Sequence, residues 1–151
     1  MARFDGERIL IKLDEMDGYM RELVSIAPDT YEEYLSVEKK RACERLLQLT
    51  IECMIDICHV LVTGLRLGLP AEENDLFSKL TDGNIISLEM GNTLREMKGF
   101  RNILVHDYAR IDDQLVYAAV KSRMSDFAAF ANEVRTYIYR ATATIEPGSR
   151  Q

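Results

Sequence analysis

Apolar residues in this chain return every three or four positions and almost nowhere every second one. Ile9, Leu13, Met16, Met20 and Leu23 stand four, three, four and three residues apart. That is the stripe of a helix lying against a bundle, because 3.6 residues per turn bring those positions onto one side. Strand-like alternation is nearly absent, and three prolines and eight glycines are too few to cut 151 residues into short strands.

The punctuation divides the helices. The first runs over roughly residues 3–26 and ends before Pro28, since a proline pushes the residue before it out of the α region. In "PDTYEEY" either Asp29 or Thr30 can cap the next helix, each with a glutamate three residues on. This second helix is expected to run unbroken to about Gly64, with a stripe through Leu35, Ala42, Leu46, Leu49, Cys53, Ile57 and Val60. Residues 46–62 are apolar on more than one face, so this helix is expected at the centre or also against a partner chain.

"LRLGLPAEEND" reads as a loop, with Asn74 or Asp75 capping a short helix "DLFSKL". A further helix starts near Ser87 and is broken by "YARIDD". Asp112 or Asp113 caps a last helix to about Ala143, which points Leu115, Ala119, Met124, Phe127, Phe130, Val134 and Ile138 inward. The expected fold is all-α, an up-and-down bundle of four main helices plus a short fifth. Residues 1–145 form one domain on this reading, and "EPGSRQ", residues 146–151, is a flexible tail.

Composition narrows the function. The formal net charge of -6 weakens long-range attraction to nucleic acid, so any such contact needs a local basic patch. No apolar run is judged to approach the roughly 20 residues of a membrane span, and "MARFDGERILIK" carries charges where a secretory signal needs apolar residues. A cytoplasmic protein without a membrane partner is expected. Cys43, Cys53 and Cys58, an odd number without a C-x-x-C pair, read as reduced, buried thiols rather than a disulfide or zinc framework.

Most catalytic patterns are missing, among them P-loops, G-x-G-x-x-G, H-E-x-x-H and G-x-S-x-G. Two histidines 47 positions apart give no histidine-rich metal site within one chain, so neither metal nor cofactor is expected. Glu32-Glu33, Glu72-Glu73 and Asp112-Asp113 all sit at helix starts, where the helix dipole accounts for acids. His59, inside the apolar second helix, reads as a buried, hydrogen-bonded histidine.

"GFRNILVHDYARID", residues 99–112, is different. Arg101, Asn102, His106 and Tyr108 form R-N-x-x-x-H-x-Y around the apolar Ile103-Leu104-Val105. On a straight helix Arg101 and His106 point about 140° apart, whereas Asn102 and His106 are i,i+4 neighbours. Either the helix distorts near His106 or a second copy of the chain completes the site, which a two-fold axis makes easy. A purely structural reading would have His106 bond a carbonyl and Arg101 pair with an acid such as Asp107.

This motif resembles the R-x-x-x-x-H signature of the HEPN superfamily of helical ribonucleases, and with Tyr108 the R-x-x-x-x-H-x-Y form of HepT-like toxins. "RACERLLQLTIECMIDICHVLV" is similar to the family's long second helix, "MKGFRNILVHDYARID" to its signature region and "LVYAAVKSRMSDFAAFANEV" to its closing helix, together about residues 40–135. The resemblance implies the HEPN fold and a homodimeric, metal-independent endoribonuclease, the toxin of a type VII-like toxin–antitoxin system. It makes Arg101 and His106 the catalytic pair and Asn102 a supporting residue that orients the phosphate or His106. It makes Tyr108 the acceptor of AMP from an MNT-type minimal nucleotidyltransferase antitoxin.

The chemistry suits these residue types. RNA brings its own nucleophile, the 2′-hydroxyl; a side chain that titrates near neutrality can move the proton, and a guanidinium fork can hold phosphate oxygens. Arg95, Lys98, Arg101 and Arg110 are expected to make the neighbourhood locally basic. The rival reading is a non-catalytic HEPN-fold dimer that binds a nucleotidyltransferase partner or a nucleotide.

Overall fold

The computed structural model describes residues 5–149, apart from the side chains of residues 108 and 143–149. Among the described residues there are helices and no strands, as the apolar spacing requires. Four long helices carry the bundle: α1 (Gly6–Ile26), α3 (Val37–Gly64), α5 (Leu88–His106) and α7 (Met124–Ser149). The expected short helix is α4 (Glu73–Asp82), with Glu72 at its N-cap in place of Asn74 or Asp75. Two more short helices, α2 (Tyr31–Tyr34) and α6 (Asp113–Ser122), stand where continuous helices are expected.

Each break has a local cause. The Thr30 hydroxyl accepts from the Glu33 amide at 3.2 Å and donates to the Glu33 carboxylate at 3.0 Å, starting α2. Ser36, in extended backbone, then caps α3 by accepting from the Lys39 amide at 3.3 Å, so the chain starts a second helix instead of prolonging the first. Arg123 separates α6 from α7 and reaches forward to Asp126 at 2.7 Å. Asp112 caps α6, accepting from the Gln114 amide at 3.0 Å. Ala27 leaves α1 in extended backbone just before Pro28, as expected. α7 runs on to Ser149, past the expected helix end near Ala143 and the expected boundary at residue 145, and residues 150–151 of the expected tail lie outside the described residues.

α3 is the central helix, packed against α1, α2, α4, α5 and α6. It is also long and apolar enough to cross a membrane by length and composition, contrary to the reading that no run approaches a span; 56% of its most apolar window is buried in the bundle. Its buried side is rotated from the expected stripe. Cys43, Leu47, Ile51, Met54, Cys58 and Leu61 are buried together with Cys53 and Ile57, whereas Ala42 and Leu35 are exposed. Where a helix is apolar all round, periodicity does not choose the inner face; its neighbours do. All three cysteines are free and buried, as expected. Burial pushes the Cys53 thiol up to about 12, helped by its 3.1 Å hydrogen bond to Glu15, and raises Cys58 and Cys43 as well.

Two expectations fail on exposure. His59 is exposed beside a surface hollow lined by Asp5, Arg8, Val60 and Thr63, so it is not the buried histidine its apolar neighbours suggest. Leu115 is 59% exposed because α6 turns Val116, Ala119 and Val120 inward instead.

Candidate active site at the end of α5

α5 begins at Ser87, whose hydroxyl accepts from the Met90 amide at 3.0 Å and whose own amide donates to Glu133 of α7 at 2.7 Å. Met90, Leu94, Met97 and Leu104 anchor it in the core. α4 lies close alongside: a Cβ on Gly91 would meet the Thr81 hydroxyl at 2.7 Å, so glycine lets the two helices approach. Arg95 ties them by donating to the Ser78 hydroxyl at 2.7 Å. α5 stays helical through His106, and Asp107 ends it with its amide on the Ile103 carbonyl at 3.1 Å. Tyr108–Arg110 then form one 3-10 turn.

The expected distortion near His106 is therefore not what joins the motif. Arg101 and His106 keep their separate faces, and no bond links them among the described residues. Arg101 points inward with its side chain 15% exposed, while His106 stands exposed at the helix end. The Tyr108 side chain lies outside the described residues.

Arg101 is gripped by residues that sequence reasoning assigned elsewhere. Its Nε donates to the Asn102 Oδ1 at 3.1 Å, one Nη donates to Glu73 of α4 at 2.5 Å, and the other faces Glu52 of α3 at 3.8 Å. Asn102 thus orients Arg101, where phosphate or His106 was expected as its partner. Asp107, the acid expected beside Arg101 on a structural reading, instead pairs with Arg110 at 3.6 Å. The sequence marks Glu73 as a helix-start acid and carries no local signal for Glu52. Their positions 28 and 49 residues before Arg101 hide the contact from any local pattern.

The neighbourhood is consequently not an open basic patch. Arg95, Arg101 and Arg110 all have partners within the chain, and two carboxylates face Arg101. On the His106 side, Gly99 and Ile103 continue the same face of α5 and border a groove of about 400 Å³. Phe100, Ile111, Leu115 and Val116 line its apolar walls, with Arg110 and Arg123 among the polar lining. Ile103 is 41% exposed here, and Leu104 is the buried member of the apolar trio.

A helical bundle that ends one helix on an exposed histidine, with a positioned arginine five residues before it, is the architecture of a HEPN-type helical protein. The family is explicit: residues 16–134 match the Ribonuclease HepT-like family, and the chain belongs to it. It is 33% identical over 89 residues to the mRNA nuclease HepT of Shewanella oneidensis, covering 59% of this chain and 67% of that one. It is 27% identical over 139 residues to the tRNA nuclease HepT of Aphanizomenon flos-aquae, covering 91% and 95%. Among solved structures it is similar to the tri-AMPylated Shewanella oneidensis HEPN toxin in complex with MNT antitoxin, at 25% identity and a TM-score of 0.79, covering 85% of this chain and 96% of that one. The resemblance carried by the motif is thereby borne out.

Proposed function

We propose that the chain is the toxin of a toxin–antitoxin pair, a metal-independent endoribonuclease that works as a homodimer in the cytoplasm. The observation that carries this is the placement of the motif at the end of α5, with Arg101 oriented by Asn102 and His106 free to reach solvent. Membership of a ribonuclease family, and relatives named as mRNA and tRNA nucleases, support it.

In the proposed reaction the 2′-oxygen of a ribose bonds to the adjacent phosphorus and the bond from phosphorus to the 5′-oxygen breaks. His106 serves the proton transfer from the 2′-hydroxyl, and the departing 5′-oxygen takes up a proton. Arg101 stabilises charge on the non-bridging oxygens. The products are a 2′,3′-cyclic phosphate and a 5′-hydroxyl. Because Arg101 and His106 face apart within one chain, the reading places the working cleft where two copies meet. The exposed Ile103 and Leu115 beside the groove are surfaces such a contact would cover.

Tyr108 is the proposed acceptor of AMP from an MNT-type nucleotidyltransferase antitoxin, a reading supported by the AMPylated neighbour. An added nucleotide would bring bulk and negative charge beside the site and repel RNA phosphate. The rival reading, a non-catalytic dimer that holds a nucleotidyltransferase or nucleotide, draws its support from the two carboxylates on Arg101.

Expression of the wild type, His106→Ala and Arg101→Ala, scored for growth and for RNA cleavage in EDTA, separates the two. Wild type should stop growth and cleave RNA and both variants should do neither; a wild type that spares both leaves the binding module. Tyr108→Phe should still cleave and should escape AMP transfer, read by intact mass. An AMP adduct on that variant would move the acceptor elsewhere.

A further inference from the structure

The tightest ion pair on Arg101 comes from α4, an element outside the motif. Glu73 stands in the first turn of that helix, where the dipole favours a carboxylate. The turn is braced: the Asp75 carboxylate accepts from the Ala71 amide at 2.7 Å and the Glu72 amide at 3.2 Å. Gly91 against Thr81, and Arg95 on Ser78, hold α4 on α5. Glu73 thus meets Arg101 from a platform docked on Arg101's own helix.

The guanidinium is divided among its partners. Nε is spent on Asn102 and Nη2 on Glu73, while Nη1 has no hydrogen-bond partner within 3.5 Å among the described residues. Its ion-pair partner among the described residues is the Glu52 carboxylate at 3.8 Å, which is itself engaged by Gln48 at 3.2 Å. A long arginine side chain otherwise samples many rotamers, and holding its planar fork from two sides fixes the direction of the remaining edge.

We propose that Glu73 is a positioning residue for Arg101, gripping Nη2 so that the Nη1 edge is presented to an RNA phosphate, with Glu52 as the carboxylate that the phosphate displaces. The proposal rests on Arg101 being the phosphate-binding cation of the site. It assigns the two acids opposite effects. Glu73 helps the reacting complex, because it sets geometry without competing for the edge used. Glu52 hinders binding, because it occupies the place of the phosphate.

The test uses full-length protein and a mixed-sequence single-stranded RNA oligomer. Glu73→Ala should lower kcat about tenfold to a hundredfold with KM changed less than about threefold, the scale of a misplaced reacting group. Glu73→Gln, which keeps an acceptor and loses the charge, should lose less. Glu52→Gln should lower KM and leave kcat within about twofold, since it removes competition for Nη1 and nothing from the transition state. Glu38→Gln, the same charge change in the first turn of α3, should match wild type.

A second measurement needs no cleavage. The Arg101 guanidinium N–H signals in NMR, assigned by their loss in Arg101→Lys, should show hindered rotation in wild type and lose it in Glu73→Ala. Thermal unfolding establishes that each variant is folded. Glu73→Ala with unchanged or raised kcat, unaltered Arg101 signals, or equal KM effects from both acids would overturn the proposal. A wild type that cleaves no RNA sinks the nuclease reading, and the NMR arm still judges whether Glu73 holds Arg101.

Discussion

The two histidines sit in superficially alike places, yet their surroundings differ in what they can do. Both lie on long apolar helices, both follow a run of hydrophobic residues, and both are exposed. His59 projects from the middle of α3 over a shallow hollow with Asp5 and Arg8. His106 is the last residue of α5, on the face whose Gly99 and Ile103 border a groove, and five residues from an arginine hydrogen-bonded to Asn102 and Glu73. A titratable ring with a hollow and an arginine nearby is common to both, and an arginine on the same helix held by two hydrogen bonds belongs to one. The histidine is therefore not the signal of the site; the groups arranged around it are.

The largest expected effect sharpens this contrast directly. His106→Ala should reduce RNA cleavage by about a hundredfold to ten-thousandfold, the usual contribution of a general acid–base group. His59→Ala should leave the rate unchanged in the same assay, and an equal loss from both would end the distinction.

Stability should divide along the same helices in the other sense. Ile57→Ala, in the fully buried middle of α3, should cost about 2–5 kcal/mol in denaturant unfolding. Ile103→Ala, on the exposed side of α5, should cost well under half of that and instead weaken self-association in sedimentation. Comparable losses would mean that the motif helix is as much core as α3.

The buried thiols of α3 add a pH dependence to the stability of the bundle. In the unfolded chain each thiol ionises near 9.0, whereas burial raises Cys43, Cys58 and Cys53, the last to about 12. Above pH 9 the folded chain therefore holds protons that the unfolded chain has released. Stability should be fully present below that pH and fall as it rises toward 12, by at most about 1.4 kcal/mol per pH unit for each thiol. Urea midpoints at pH 8 and pH 10 read it, and equal midpoints would place the thiols in water. The smallest effect is again at His59, whose replacement by alanine should shift stability by no more than about 0.5 kcal/mol.

How much of this was legible differs from element to element. The caps at Thr30, Ser87 and Asp112 and the stop before Pro28 are local chemistry, and each is where the residues place it. The motif was legible too, because its spacing lies within eight residues. Ser36 was missed as a cap because the apolar pattern continues through it. The inner face of α3 lies about one residue from the expected stripe, and nothing local sets Glu73 apart from other helix-start acids.

By itself, then, the sequence determined an all-helical chain, most of its helix boundaries and the identity of the motif residues. These depend on backbone preferences and on neighbours within one or two turns. Only the tertiary structure decided which side of α3 is buried, that His59 stays outside, and that Arg101 is held by Glu73 and faced by Glu52. Those outcomes depend on which helices lie against one another, and a carboxylate 28 or 49 residues away meets its arginine only once the bundle has closed.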